Sequence, residues 1–117
     1  MEERQALSAF AALSQETRLR IVRLLVQAGP VGMPAGAVAE AAGVSASNVS
    51  FHLKELTQAG LASAKREARS IVYTADYDAL SGLIQFLMRD CCAGHPDICM
   101  PATASACTSD GKELSRA

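Results

Sequence analysis

The chain has no apolar run long enough to cross a bilayer, and its start, MEERQAL, lacks the basic-then-apolar pattern of a secretory leader. Those two absences predict a cytoplasmic protein without a membrane partner. Strong charge is missing as well: the formal net charge is -1 over 117 residues, which argues against a globally basic nucleic-acid binder. No C-x-x-C spacing occurs anywhere, so a small thiol reductase or thioltransferase is disfavoured and the chain is read as a non-enzyme. The four cysteines all fall late, at Cys91, Cys92, Cys99 and Cys107. In a reducing compartment thiols are better read as ligands or redox groups than as a disulfide framework. The length itself fits one domain with a real core and little left for a second.

What is present is organised around Gly43 to Leu61, GVSASNVSFHLKELTQAGL. Val49, Leu53 and Leu56 recur at helical spacing and form one apolar stripe, while Ser47, Asn48, Ser50, Phe51, Lys54 and Gln58 project away from it. Ser45 stands where its hydroxyl can cap the first turn, and Gly60 can close the helix in the left-handed conformation. A short apolar helix over residues 37–42 precedes it, separated only by Gly43 and Val44. So short a turn makes two helices cross steeply, which is the helix-turn-helix arrangement. Its second helix can enter a DNA major groove, where small side chains allow close approach and Asn48 can pair with adenine through two hydrogen bonds. An ordinary solvated face is the competing reading of this helix taken alone.

In chain order, residues 2–13 are predicted to form an alanine-rich helix with Leu7, Phe10 and Ala11 as its stripe. Residues 15–28 follow as the central core helix, capped by Ser14 and hydrophobic around most of its circumference through Leu19, Ile21, Val22, Leu24, Leu25 and Val26. Gly29-Pro30 ends it, and Pro34 takes the first position of the next helix. After the reader helix, residues 61–66 and 70–74 form a hairpin about Glu67-Ala68-Arg69. Its cations Lys65, Arg66 and Arg69 make it a candidate wing along the sugar-phosphate backbone; a merely solvated hairpin is the alternative. From a cap at Asp76 the last helix is expected to run through Cys92, with Leu80, Ile84, Leu87 and Cys91 as its stripe and Leu83 and Met88 widening it. That stripe and the one on the first helix predict a homodimer interface.

With these residues in place the sequence resembles the ArsR-type winged-helix metalloregulatory repressors. The resemblance is carried by Leu13-Ser14-Gln15-Glu16-Thr17-Arg18-Leu19-Arg20-Ile21, by Ser50-Phe51-His52-Leu53-Lys54-Glu55-Leu56, by Ala59-Gly60-Leu61 and by the Arg66 to Tyr73 hairpin, over roughly residues 5–92. It implies a mainly α fold with a small β-hairpin, α-α-α-α-β-β-α, acting as a homodimer on double-stranded operator DNA. Residues 1–93 would be the DNA-binding and dimerisation domain and 94–117 a flexible tail. The DNA-facing set is then Ser45, Ser47, Asn48, Ser50, Phe51, His52 and Lys54, with Lys65, Arg66 and Arg69 on the wing. One departure is Ala68, where members of the family usually carry glycine, so a turn that needs positive φ would be strained.

The family places its inducer sites variably. Here the reader helix has no thiol, and the last helix lacks the paired Asp/His set of the zinc-sensing subtype. The adjacent Cys91-Cys92 with Cys99 nearby is similar to a variant group of arsenite sensors. Trivalent arsenic is a soft centre that takes three thiolates, which matches these three residues, with Cys107 a bystander. Adjacent cysteines on a helix point about 100° apart, so the last turn must loosen for one ion to reach both. The expected ligand is As(III), as inducer and not as a catalytic cofactor. Antimonite, methylarsenite and cadmium remain alternatives, as does thiol oxidation, and His95 and Asp97 keep a divalent metal in contention.

Overall fold

The computed structural model describes residues 1–89, and its elements run α1 (Glu3–Leu13), α2 (Glu16–Ala28), a 3-10 turn (Gly29–Val31), β1 (Met33–Pro34), α3 (Ala35–Ala42), α4 (Ala46–Gln58), β2 (Ala62–Glu67), β3 (Ser70–Ala75) and α5 (Tyr77–Met88). This is the winged helix-turn-helix order expected from the sequence, with one short strand added. The helices surround α2, whose Ile21, Val22 and Leu25 are buried together with Val38 of α3 and Val49, Leu53 and Leu56 of α4. Each such side chain contributes about 1.5–3 kcal/mol by leaving water. Leu61 and Ala62 carry the same cluster into the hairpin.

The first two helices divide their apolar residues between inside and outside, and one expected cap is corrected. In α1 the face buried within the chain is Ala6, Ala9 and Ala12, whereas Leu7 and Phe10 stand 62% and 38% exposed. Alanine has no bulk beyond Cβ, so it lets α1 lie close against its neighbours. The larger residues are left on the outside. The cap of α2 is Gln15, not Ser14: the Gln15 side chain accepts from the Arg18 N–H at 2.9 Å, while the Ser14 hydroxyl donates to the Ala11 carbonyl and finishes α1. α2 is the central core helix as expected, and of its apolar residues Leu19 and Val26 remain exposed.

Gly43 forms the turn between α3 and α4. It sits at φ 74°, ψ 35°, its N–H reaches the carbonyls of Ala39 and Glu40, and the Val44 N–H reaches Ala39 at 3.1 Å. These bonds satisfy carbonyls that the end of α3 would otherwise leave unpaired. Ser45 caps α4 as expected, accepting from the Asn48 N–H at 3.2 Å. Gly60, at φ 82°, follows the last turn of α4 and lets the Leu61 N–H return to Leu56.

The wing is a three-stranded antiparallel sheet in the order β1-β3-β2. Pro34, expected to begin α3, instead ends β1 and precedes the helix as its N-cap residue. β1 was not legible because two residues are too few to show alternation. Glu67 pairs with Ser70, so Ala68 and Arg69 alone make the hairpin turn, and Ala68 adopts φ 54°. The strain anticipated for alanine is therefore present, at about 1–2 kcal/mol before compensation.

Finally, α5 ends sooner than its apolar stripe implies. Asp76 caps it, accepting from Ala79, but Arg89 is already extended at φ -66°, ψ 128°. Only Leu83 of α5 is fully buried and Leu87 is 53% exposed. Phe86 in the last turn packs against the core, and the Arg89 guanidinium lies 5.2 Å from its ring centroid.

Backbone substitutions test this wing. Ala68→Gly should raise unfolding stability by about 0.5–1 kcal/mol, because relief of strain exceeds the entropy glycine adds to the unfolded chain. Gly32→Ala should lower it by about 2 kcal/mol or more, since Gly32 has φ +75° and a Cβ there would lie 2.5 Å from the Tyr73 carbonyl oxygen. Urea denaturation of the two variants checks both signs.

Candidate nucleic-acid interface

Burial of Val49, Leu53 and Leu56 on one side of α4 dictates which residues face outward. Ser45, Ser47, Asn48, Ser50, Phe51 and Lys54 are all exposed, along the first two and a half turns. The first turn carries no acidic residue, so the positive end of the helix is open to an anion such as a DNA phosphate. Lys65, Arg66 and Arg69 are exposed on the hairpin, which projects beyond the core with only Ala62 of β2 buried. Glu67 lies 3.9 Å from Lys65, but with side chains 55% and 78% exposed this pair is screened by water and leaves the wing a net cationic edge.

His52 is placed differently from the other members of the expected set. It is half-buried and turned toward α2, with Nδ1 3.4 Å from Nη1 of Arg18. Arg18 in turn donates from Nε to the Ala12 carbonyl at 2.8 Å. One guanidinium thus ties the end of α1 and the middle of α4 to α2. Partial burial pulls the His52 pKa below its ordinary value, and the adjacent Arg18 cation pulls the same way, against a smaller opposing effect of Glu55. The neutral imidazole can then accept from Arg18, which cannot itself accept. Arg18 was visible in the sequence only as part of a motif; its role depends on a contact 34 residues away that no local spacing reveals. Arg20 makes a second link, reaching the Ala42 carbonyl at the end of α3 from Nη1 at 3.4 Å while pairing with Glu16.

The expected ligand cysteines, Cys91, Cys92 and Cys99, lie outside the described residues, as does Cys107. Among the described residues no group of three His, Cys, Asp or Glu side chains is placed to hold a metal ion. Likewise, no described helix is long and apolar enough to cross a membrane.

A capped helix presented outward by a tight glycine turn, followed by a basic hairpin, defines a winged helix-turn-helix protein. Residues 13–63 match the family model described as a helix-turn-helix domain. The HTH-type transcriptional regulator YgaV of Escherichia coli (strain K12) is 33% identical over 88 residues, covering 75% of this chain and 87% of YgaV. Among solved structures, an ArsR-like transcriptional regulator from Rhodococcus sp. RHA1 superposes with a TM-score of 0.66 at 30% identity, over 90% of this chain and 94% of that one. A homodimeric winged helix-turn-helix DNA-binding domain from Mycobacterium bovis gives a TM-score of 0.60 at 29% identity, over 74% of this chain and 81% of that one. The chain belongs to the ArsR-like family of helix-turn-helix transcriptional regulators.

The histidine link has a signed pH dependence. Because the folded state lowers the pKa of His52, the unfolded chain takes up this proton first, and stability is lost as pH falls below the ordinary value of about 6.5. A His52→Gln variant keeps an acceptor for Arg18 without that titration. Its melting temperature should fall less than that of the parent between pH 7.5 and 5; identical pH profiles would remove His52 from the account.

Proposed function

We propose that the chain is a transcriptional repressor that binds operator DNA as a homodimer and is released when trivalent arsenic binds Cys91, Cys92 and Cys99. The observation that carries the DNA half is the outward face of α4, with Ser45, Ser47, Asn48, Ser50, Phe51 and Lys54 uncovered and Lys65, Arg66 and Arg69 on the adjoining wing. Two such faces related by a dyad, with their reader helices about 34 Å apart, fit an inverted repeat read from one side of the duplex.

Dimerisation is supported by apolar surface that the single chain leaves open. Leu7 and Phe10 of α1 and Leu87 of α5 are exposed. A groove of about 740 Å³ also runs between α2 and α5, lined by Leu13, Leu19, Val22, Val26, Leu80 and Ile84 among others. Contiguous apolar surface of this kind marks an interaction face. The Mycobacterium bovis relative is homodimeric. Replacing Leu7 by Glu should shift the protein toward monomer in sedimentation analysis and weaken operator binding by tenfold or more, since a buried unpaired charge costs several kcal/mol, about 3–5 by analogy with broken buried pairs. A dimer of unchanged affinity would place the interface elsewhere.

The arsenic half rests on donor chemistry. Three thiolates suit a soft trivalent ion, and no other cysteine precedes residue 91. Arsenic capture by cysteines that follow α5 in the sequence would act on the end of that helix, and so on the spacing or freedom of the two reader helices. A coupling of about 1–3 kcal/mol corresponds to an operator affinity lowered some 5–150-fold. Fluorescence anisotropy of a labelled operator with and without arsenite checks this. Cys99→Ser should bind DNA normally but respond weakly, whereas unchanged affinity of the parent at saturating arsenite would rule out the switch.

A further inference from the structure

The groove-facing side of α4 contains no arginine, and its single cation, Lys54, falls beyond the first two turns. Guanine is best recognised by a long cation that pairs with its O6 and N7 together. The leading turns offer instead serine, asparagine and one aromatic ring. Phe51 is 55% exposed, a large apolar group in the middle of an otherwise polar face. It lies on α4, apart from the open apolar residues of α1 and α5. Asn48 stands three residues earlier, on the same side of the helix, so the two side chains are neighbours.

Phe51 is also held. The His52 ring meets it edge-on, with centroids 5.4 Å apart and planes at 64°, and His52 is anchored in turn by Arg18. A ring fixed in this way gives up little freedom on contact, so its apolar face is preorganised. The feature of the major groove complementary to such a face is the C5-methyl group of thymine, the one apolar group that any base edge presents there. Asn48 complements the partner chemistry, since its amide can donate to N7 and accept from N6 of adenine.

We infer that Phe51 is a specificity-determining residue that packs against a thymine methyl, with Asn48 pairing an adjacent adenine, so that each operator half-site holds A·T pairs beneath the second turn of α4. This rests on the DNA-binding reading above and adds to it the chemical identity of the bases. The Phe51 contact discriminates by one methyl group. Burying a group of that size is worth about fourfold in affinity.

The test uses the full chain and duplexes that it enriches from a random pool. Each thymine of an enriched duplex is replaced in turn by uracil, which deletes the 5-methyl and leaves pairing intact. At one position or more per half-site the parent protein should bind the uracil duplex about fourfold more weakly. Phe51→Ala should bind both versions of that duplex equally, and Phe51→Leu, which keeps an apolar contact, should retain most of the difference. Equal binding of thymine and uracil duplexes by the parent, or discrimination that persists in Phe51→Ala, would overturn the inference while leaving DNA binding intact. Failure to enrich any duplex would instead overturn the DNA-binding reading, and this inference with it.

Discussion

The seating of α4 on the core through Val49, Leu53 and Leu56 is the constraint on which the rest of the structure depends. A helix has two sides, and committing one to Ile21 and Leu25 of α2 and to Val38 of α3 obliges the other to face solvent. The turn at Gly43 sets the angle between α3 and α4, the cap at Ser45 fixes where α4 begins, and the Arg18 bridge through His52 locks its middle. None of these devices touches a ligand. Together they keep the exposed side chains in a fixed array, which sequence recognition requires.

The second organising feature is a division of labour between small and large apolar residues. α1 packs inward through alanines and presents leucine and phenylalanine outward, the reverse of the usual pattern for a helix that completes a monomer. α5 also leaves an apolar residue outside, burying Leu83 and exposing Leu87. An apolar face that the protomer does not use lowers its solubility and must be offset elsewhere. In the proposed homodimer a second copy of the chain would supply that offset and couple the end of α5 to the distance between reader helices.

Much of this was legible from residue spacing. The 3.6-residue period of Val49, Leu53 and Leu56, the serine before it and the glycines around it locate α4 correctly, because local rules of capping and amphipathicity govern all of them. The hairpin and the strained Ala68 were legible for the same reason. What escaped depends on contacts distant in sequence. The pairing of Met33 with Tyr73 joins strands forty residues apart, and the contact of Arg18 with His52 spans 34 residues. Ser14 and Gln15 are adjacent and either can cap, so only the path of the chain between α1 and α2 selects Gln15. The thiol site was read from a family resemblance together with donor chemistry, and it lies outside the residues that the structure describes.

The central claim is that the outward face of α4 and the basic wing are the surfaces that meet DNA. Backbone amide chemical shifts, followed by NMR while an enriched duplex is titrated into the protein, test it most directly. The largest changes are expected along Ser45 to Lys54 and at Lys65 to Arg69, with the amides of α1 little affected. Changes concentrated on α1 and α5, with α4 and the hairpin unmoved, would contradict the account.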